Sequence, residues 1–172
     1  LGLIMPEKES DTTSQILAKK VAEQFQIETE IIDITSILES FGVYNIKEKI
    51  VKEKFSNFNN KCKYRITVPS KMSNSSGIPF LEILDEDDKK HQLKMSSSEF
   101  LTLTASTSIK HRVRMTLLYY YAEKNNFCVV GTTNKSEFLQ GYFVKYGDGG
   151  TDVEPLTSLY KSQIYQIGEF LK

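Results

Sequence analysis

Apolar residues change their spacing along the first third of the chain, and these changes predict alternating strands and helices. Residues 1–5 form an apolar run typical of a buried parallel strand, and residues 29–34 predict a second strand. Between the two runs, Ile16, Leu17 and Val21 recur at helical spacing. The β-α-β order predicts an α/β fold with a parallel sheet and right-handed crossovers.

Polar residues mark where the first helices begin and end. Ser10 or Asp11 is predicted to cap the first helix, and Thr35 is predicted to cap a second one. Gly42 interrupts the helical pattern, which then resumes over residues 45–55. Three helices are therefore expected before the pattern changes.

The pattern changes over residues 56–106, where strand-like segments replace helical spacing. Residues 64–68, 80–84 and 92–95 are predicted strands, and residues 72–77 a loop. The charged residues 85–90, four acidic residues followed by two lysines, join the last two strands and are interpreted as an exposed hairpin tip rather than a metal site. We interpret the segment as a β-containing insertion, either a subunit contact or a substrate lid.

Helical spacing returns in the last third of the chain. A helix is predicted over residues 106–124, followed by a strand over 127–131 that should lie beside the first two as a buried neighbour. A final amphipathic helix is predicted over 157–172, with Ile167 and Phe170 directed towards the core.

The candidate chemistry lies after the predicted strand 127–131. The strand ends in a turn rich in Thr, Asn, Lys and Glu, and open α/β sheets bind ligands at the carboxyl ends of their strands. A glycine cluster bounded by Lys145 and Asp152 follows, and such a cluster suits phosphate or metal binding. These features predict a ligand site in residues 129–164.

Motifs in this region occur in the order and at the spacing of one known family. They are Arg112-Val113-Arg114-Met115, Gly131-Thr132, Glu137, Gly141-Tyr142, Lys145-Tyr146-Gly147-Asp148-Gly149, Asp152, Pro155-Leu156 and Lys161. The chain resembles the NAD synthetases, which are adenylating amide ligases. The resemblance implies a Rossmann-like parallel sheet flanked by helices, of the adenine nucleotide alpha hydrolase-like type.

The resemblance also implies a reaction and the residues that serve it. ATP and Mg²⁺ would be used to adenylate the nicotinate carboxylate of deamido-NAD, which ammonia then converts to NAD with release of AMP and pyrophosphate. By this resemblance, ATP is bound by Thr132 and Lys161, deamido-NAD by Arg112, Lys145 and Asp152, and the metal by Glu137. The roles of Arg114 and Asp148 stay open.

One family motif is missing from these residues. The phosphate loop Ser-Gly-Gly-x-Asp-Ser does not occur, and the nearest stretch, Ser73-Asn74-Ser75-Ser76-Gly77, lacks the second glycine and the aspartate. We therefore expect residues 1–172 to be a single NAD synthetase-like domain that is incomplete at both ends and, by itself, inactive. Two alternatives stay open: an adenylating ligase for another carboxylate, and a nucleotide-binding module without catalysis.

Composition and charge limit the partners. Lys and Arg number 22, as do Asp and Glu, so no basic excess predicts nucleic-acid binding. No apolar run approaches the roughly 20 residues of a membrane span. Cys62 and Cys128 are isolated, which favours a reducing cytoplasmic location over a disulfide framework, and Cys128 is expected to be buried.

Assembly and ammonia supply are expected from the resemblance. NAD synthetases are usually homodimers, and apolar residues of the insertion, such as Ile78, Phe80 and Leu84, could supply contact area. No glutamine amidotransferase domain is visible, so ammonia would come from solution, or from glutamine through a region or partner outside these residues.

Overall fold

The structure is a computed structural model that describes residues 1–59, 61–68 and 78–171. The chain divides into two compact units, one formed by Leu1–Ser40 with Ser108–Lys172 and the other by Phe41–Thr107. The predicted loop over residues 72–77, including Ser73–Gly77, lies outside the described residues.

The described elements begin with the alternation of strands and helices that the sequence predicts. In chain order they are β1 (Gly2–Ile4), α1 (Thr12–Gln24), β2 (Thr29–Ile31), α2 (Thr35–Ser40), α3 (Val43–Lys54), β3 (Lys63–Thr67), β4 (Phe80–Leu84), β5 (Lys90–Lys94), α4 (Ser97–Asn125), α5 (Lys135–Gln140) and α6 (Lys161–Phe170). None of the described helices is long and apolar enough to cross a membrane.

The first unit contains the predicted parallel β-α-β element. Strands β1 and β2 pair in parallel, with Ile4 opposite Ile31, and α1 connects them. The helix begins after Asp11, whose Oδ1 accepts a hydrogen bond of 2.9 Å from the Thr13 N–H. The predicted α/β class and the capping role of Asp11 are therefore confirmed, although both strands are shorter than predicted.

Helix α2 is capped by a different residue from the predicted Thr35. Asp33 Oδ1 accepts a 2.7 Å hydrogen bond from the Thr35 N–H, so Thr35 is the first helical residue and not the cap. Hydrogen bonds from the side chain and backbone of Thr35 lower the pKa of the Asp33 carboxyl below its ordinary value. A carboxylate two residues before a helix satisfies an amide that has no partner inside the helix.

The predicted strand 127–131 is not a sheet neighbour of β1 and β2 in the described part of the chain. It makes one isolated parallel bridge, between Val130 and Val153. Val129 is buried against Met115 and Ala122, whereas Val130 is 62% exposed. Cys128 is also exposed, so its predicted burial is wrong. An apolar run predicts a buried strand only where neighbours cover both of its faces.

Helix α4 begins at Ser97, well before the predicted residue 106. Ser96 and Glu99 form a capping box: the Glu99 N–H donates to Ser96 Oγ at 3.2 Å, and the Ser96 N–H donates to Glu99 Oε2 at 2.6 Å. The motif Ser96-Ser97-Ser98-Glu99 is a helix-start signal in the sequence. The sequence prediction missed it because residues 96–106 were assigned to the strand-containing segment 56–106.

Helix α6 begins at Lys161 rather than at residue 157, and its apolar face is not part of a core. Structure is described for the whole helix, and none of its residues is buried; Ile167 is 42% and Phe170 87% exposed. The prediction that both residues face the core is therefore wrong. Amphipathic spacing shows that a helix has an apolar side without showing what covers that side.

The second unit is an antiparallel sheet of order β3-β4-β5 with a separate hydrophobic core. That core is formed by Ile50, Val51, Cys62, Leu81, Ile83, Met95 and Leu103. In the hairpin between β4 and β5, Asp85 Oδ1 accepts from the Asp87 and Lys89 N–H groups, and Oδ2 lies 2.6 Å from His91 Nε2. The predicted hairpin is confirmed; that residues 56–106 are an insertion stays a prediction.

Candidate functional site

The turn after Val129 is held against residues 151–154 by backbone hydrogen bonds. The Gly131 N–H donates to Val153 O at 2.7 Å, and the Asp152 N–H donates to Val129 O at 3.0 Å. A Cβ on Gly131 would lie 2.4 Å from Thr151 Oγ1 and 3.0 Å from Glu154 Cγ. Only glycine therefore allows this close approach, which explains the Gly131-Thr132 pair physically. Thr132 follows immediately and is exposed.

Asp152 is anchored to its surroundings by both carboxylate oxygens. Oδ2 accepts from the Val129 N–H at 2.8 Å, and Oδ1 lies 2.9 Å from the hydroxyl oxygen of Tyr119. The same hydroxyl lies 2.9 Å from Gly150 O. Burial first, and then the hydrogen bond to Asp152, raises the pKa of Tyr119 above its ordinary value. Asp152 is nevertheless exposed, so its carboxylate is fixed in position and reachable by a ligand.

Glu137 lies in the first turn of α5, where a capping box holds it. Asn134 Oδ1 accepts from the Ser136 and Glu137 N–H groups, and the Asn134 N–H donates to Glu137 Oε2 at 3.0 Å. Among the described residues, Oε1 of Glu137 has no hydrogen-bond partner. The capping box therefore fixes the direction of the carboxylate and leaves one oxygen available.

A Mg²⁺ ion is implied by the family resemblance, and the donors can be tested against it. Mg²⁺ takes oxygen ligands, keeps several waters and is usually held by one or two carboxylates together with substrate phosphates. Oε1 of Glu137 fits one such position. Within residues 1–59, 61–68 and 78–171, no group of three or more His, Cys, Asp or Glu could hold a metal ion. Glu137 thus fits as a single protein ligand beside a phosphate.

The start of α6 is linked to the start of α5. The Lys135 N–H donates to Leu159 O at 2.9 Å, and Lys135 Nζ lies 4.6 Å from the centre of the Tyr160 ring. Tyr160 is the N-cap of α6, so Lys161 and Glu137 lie in the first turns of two helices joined at that point. Lys161 is exposed and makes no ion pair or hydrogen bond within the described part of the chain.

Arg112 and Lys145 are brought together through the main chain. Arg112 Nε donates to Lys145 O at 3.1 Å, and the terminal nitrogens Nη1 and Nη2 of Arg112 have no partner among the described residues. The ammonium of Lys145 lies 5.0 Å from the ring centre of Tyr146, which is 71% exposed and has a left-handed backbone with φ 60°. A guanidinium anchored at Nε keeps the N–H groups of both terminal nitrogens for a phosphate or carboxylate.

The glycine cluster is explained by packing as well as by ligand access. A Cβ on Gly147 would lie 2.8 Å from His111 Cβ, and one on Gly149 would lie 2.3 Å from the Phe143 ring. Asp148 Oδ1 accepts from the Val144 N–H at 3.0 Å and lies 3.2 Å from His111 Nδ1. Asp148, whose role the sequence left open, therefore closes the loop on itself and ties it to α4.

Arg114 and its neighbour Lys110 fix the loop that follows β1. Arg114 donates to Met5 O from Nε at 3.3 Å and from Nη2 at 3.2 Å. Lys110 Nζ donates to Glu7 Oε1 at 2.7 Å and to Glu9 Oε2 at 2.6 Å, and both Lys110 and Glu7 are buried. A cavity of about 640 Å³ lies beside this loop, lined by it, by the start of α1 and by Arg114.

The contacts of Lys110 with Glu7 and Glu9 were not predicted from the sequence. Lys110 stands two residues before Arg112, but its partner Glu7 is 103 positions away. The only signal in the sequence is the density of charge around an apolar strand end. Convergence of all six predicted residues (Arg112, Thr132, Glu137, Lys145, Asp152 and Lys161) on one cleft stays a prediction; the contacts join Arg112 to Lys145, Asp152 to the strand end before Thr132, and the start of α5 to that of α6.

Comparison with known proteins gives consistent matches. The family model described as NAD synthase matches residues 1–81 and 78–172. The NH(3)-dependent NAD(+) synthetase of Rhizobium meliloti (strain 1021) is 36% identical over 170 residues, which are 98% of this chain and 51% of that protein.

Two solved structures have a similar fold. The NMN synthetase from Francisella tularensis superposes with a TM-score of 0.62 at 25% identity, covering 98% of this chain and 49% of that one. The NH3-dependent NAD synthetase from Campylobacter jejuni gives a TM-score of 0.60 at 28% identity, covering 98% and 51%. The chain spans about half the length of the relatives it matches.

Proposed function

Because this chain belongs to the NAD synthase family, we propose that the full-length protein that carries it is an ammonia-dependent NAD synthetase. An oxygen of the nicotinate carboxylate of deamido-NAD attacks the α-phosphorus of ATP, and pyrophosphate leaves. Ammonia then attacks the activated carbonyl carbon, and AMP leaves as NAD forms. The first step turns a poor electrophile into a good one, and it needs positioning and charge neutralisation more than covalent protein chemistry.

In this proposal, the residues around the two joined helix starts bind ATP. Thr132 offers a hydroxyl and a backbone amide at the end of the bridged segment, and Lys161 offers an ammonium that has no other partner within the described residues. A cation in the first turn of a helix is unfavourable for the helix dipole, and a bound phosphate would compensate for it. Lys161 would therefore neutralise charge that builds on the departing pyrophosphate.

Deamido-NAD would be held by Arg112, Lys145 and Asp152. The free end of the Arg112 guanidinium suits a phosphate of the dinucleotide, and the anchored carboxylate of Asp152 suits ribose hydroxyl groups. Glu137 would hold Mg²⁺ beside the ATP phosphates through its free oxygen. When bound, the ion supplies positive charge to the phosphates during adenylyl transfer.

One observation carries the proposal: the family motif occurs in order from Arg112 to Lys161, and Val130 and Val153 within it form a parallel bridge. The test is amide synthesis by the purified full-length protein with ATP, Mg²⁺ and ammonium. The assay compares two acceptors, deamido-NAD and the deamidated form of NMN. The second is included because one similar structure is an NMN synthetase. We expect NAD and pyrophosphate in equal amounts from deamido-NAD.

Two other outcomes would replace the proposal. Faster turnover of the mononucleotide than of deamido-NAD would identify a ligase for another carboxylate. Binding of ATP without pyrophosphate release on either acceptor would identify a nucleotide-binding module. Glutamine in place of ammonium tests for an additional ammonia source in the full-length protein. We further propose that the full-length protein is a homodimer, which light scattering at high concentration tests.

A further inference from the structure

A tyrosine outside the proposed substrate contacts forms a hydrogen bond with Asp152, which is anchored by both of its carboxylate oxygens. Tyr119 lies on α4, and its hydroxyl oxygen is 2.9 Å from Asp152 Oδ1 and 2.9 Å from Gly150 O. The hydroxyl has one proton, and the charged oxygen is the stronger acceptor of the two. Tyr119 therefore connects a long helix to Asp152 through this hydrogen bond.

The carboxylate of Asp152 keeps free acceptor positions despite these contacts. Each carboxylate oxygen has two lone pairs, and one on each oxygen is used, by Tyr119 and by the Val129 N–H. Rotation about the side-chain bonds would break both hydrogen bonds. The remaining lone pairs thus have a fixed direction before any ligand arrives, which lowers the entropy cost of binding.

We infer that Tyr119 is a positioning residue that directs the carboxylate of Asp152 towards the substrate. The inference rests on the proposed function, in which Asp152 accepts hydrogen bonds from the dinucleotide acid. Tyr119 itself does not touch the substrate and acts through Asp152. The ribose stays bound in the same way throughout the reaction, so the contribution is to substrate binding and not to the chemical step.

Two neighbouring tyrosines make a matched test possible. Tyr119→Phe removes the hydroxyl and keeps the ring, which packs beside Met115, Ala122 and Val129. Tyr120→Phe is the control, because Tyr120 is 58% exposed and its ring contacts Tyr121 instead. Both variants lose one oxygen atom at adjacent positions of the same helix, so a general effect of the substitution would occur in both.

The assay measures kcat and KM of the full-length protein for each substrate. We expect Tyr119→Phe to raise KM for deamido-NAD roughly 5- to 20-fold, because it removes a hydrogen bond to a charged group. KM for ATP and kcat should change less than about twofold. This pattern is expected when the lost interaction stabilises the bound substrate and the transition state equally. Tyr120→Phe should leave all three values unchanged.

A double-mutant cycle separates positioning from a structural role. If Tyr119 acts through Asp152, adding Tyr119→Phe to Asp152→Asn should raise KM for deamido-NAD by less than about twofold more. If KM for deamido-NAD in the double variant rises by the product of the two single effects, the inference is overturned. A Tyr119→Phe protein that loses thermal stability and binds ATP and deamido-NAD equally poorly would also overturn it.

The cycle also separates this inference from the proposed function. If Asp152→Asn leaves KM for deamido-NAD unchanged, the proposed role of Asp152 is wrong, and the inference is overturned with it. If Asp152→Asn raises KM while Tyr119→Phe does not, the proposed function stands and the positioning role of Tyr119 is wrong.

Discussion

Removing the ammonium of Lys110 should destabilise the protein strongly, because Lys110 Nζ lies 2.7 Å from the buried carboxylate of Glu7. The Lys110 side chain is 10% exposed and that of Glu7 6%, while Glu9 is 42% exposed and can be hydrated. Loss of one partner from a buried ion pair costs about 3–5 kcal/mol, whereas an exposed pair contributes about 0–1 kcal/mol. For Lys110→Met we expect the free energy of unfolding to fall by about 3 kcal/mol, mostly because the Glu7 carboxylate loses this ion pair.

Urea unfolding of the full-length protein measures this loss, with Lys49→Met as the matched control. Lys49 lies on a helix, as Lys110 does, and also pairs with a glutamate. Its Nζ is 3.9 Å from Glu53 Oε1, and both side chains are largely exposed. Lys and Met have similar helix propensities, so the control should change the free energy of unfolding by less than about 0.5 kcal/mol.

A second substitution tests the cause of the loss. Glu7→Gln removes the charge that Lys110→Met leaves buried, so the double variant should be more stable than the sum of the two single losses implies. A loss below about 1 kcal/mol for Lys110→Met, or additive effects in the double variant, would refute the argument that a buried charge dominates.

Three further substitutions test other features of the structure. Gly131→Ala should destabilise by about 1–3 kcal/mol, since its Cβ would overlap Thr151, while the control Gly168→Ala, with no atom within 4 Å of the added Cβ, should be neutral or stabilising in thermal melts; equal effects would contradict the packing argument. Asp85→Asn should lower stability at neutral pH, because the hydrogen bond from His91 lowers the pKa of the Asp85 carboxyl in the folded state below its ordinary value. The contribution is present above the unfolded-state pKa and is lost as pH falls through the folded-state value, so melts of the two proteins should converge in acid; a constant difference would exclude this linkage. Lys161→Ala should reduce pyrophosphate release roughly 10²–10³-fold with folding unchanged, and normal release with poor amide yield would place Lys161 in a later step.

Local sequence patterns predicted the elements whose signals are complete within a few residues. The parallel pair β1 and β2 follows from apolar runs on either side of a helix, and the hairpin of β4 and β5 follows from strands that flank a polar turn. The start of α4 was also within reach, because Ser96 and Glu99 form a standard capping pair.

The sequence predictions were wrong where the burial of a side chain depends on residues that are distant in the sequence. Residues 127–131 look like a buried strand, yet only the Val129 side chain meets a core, because the segment pairs with Val153 alone among the described residues. The helix α6 was predicted correctly, but its apolar side was wrongly expected to contact the core, as the exposure of Phe170 shows. Periodicity gives the direction of side chains and not the identity of what they meet.

The candidate site residues were taken from a motif whose segments all lie within residues 112–161. The supporting contacts of this site were not predicted, since Tyr119 meets Asp152 across 33 positions and Lys110 meets Glu7 across 103. No spacing rule relates residues that meet only through tertiary structure. The motif therefore predicted the residues proposed to bind ligands but not the residues that hold them in place.

The left-handed backbone of Tyr146 has a consequence for attempts to make this protein more robust. A bulky residue at φ 60° is strained by roughly 1–3 kcal/mol, and glycine or asparagine would adopt the same backbone more easily. Screens that select only for heat resistance should therefore favour Tyr146→Gly or Tyr146→Asn. Either replacement would also remove the ring beside the Lys145 ammonium, so improved variants at this position should be checked first for reduced turnover.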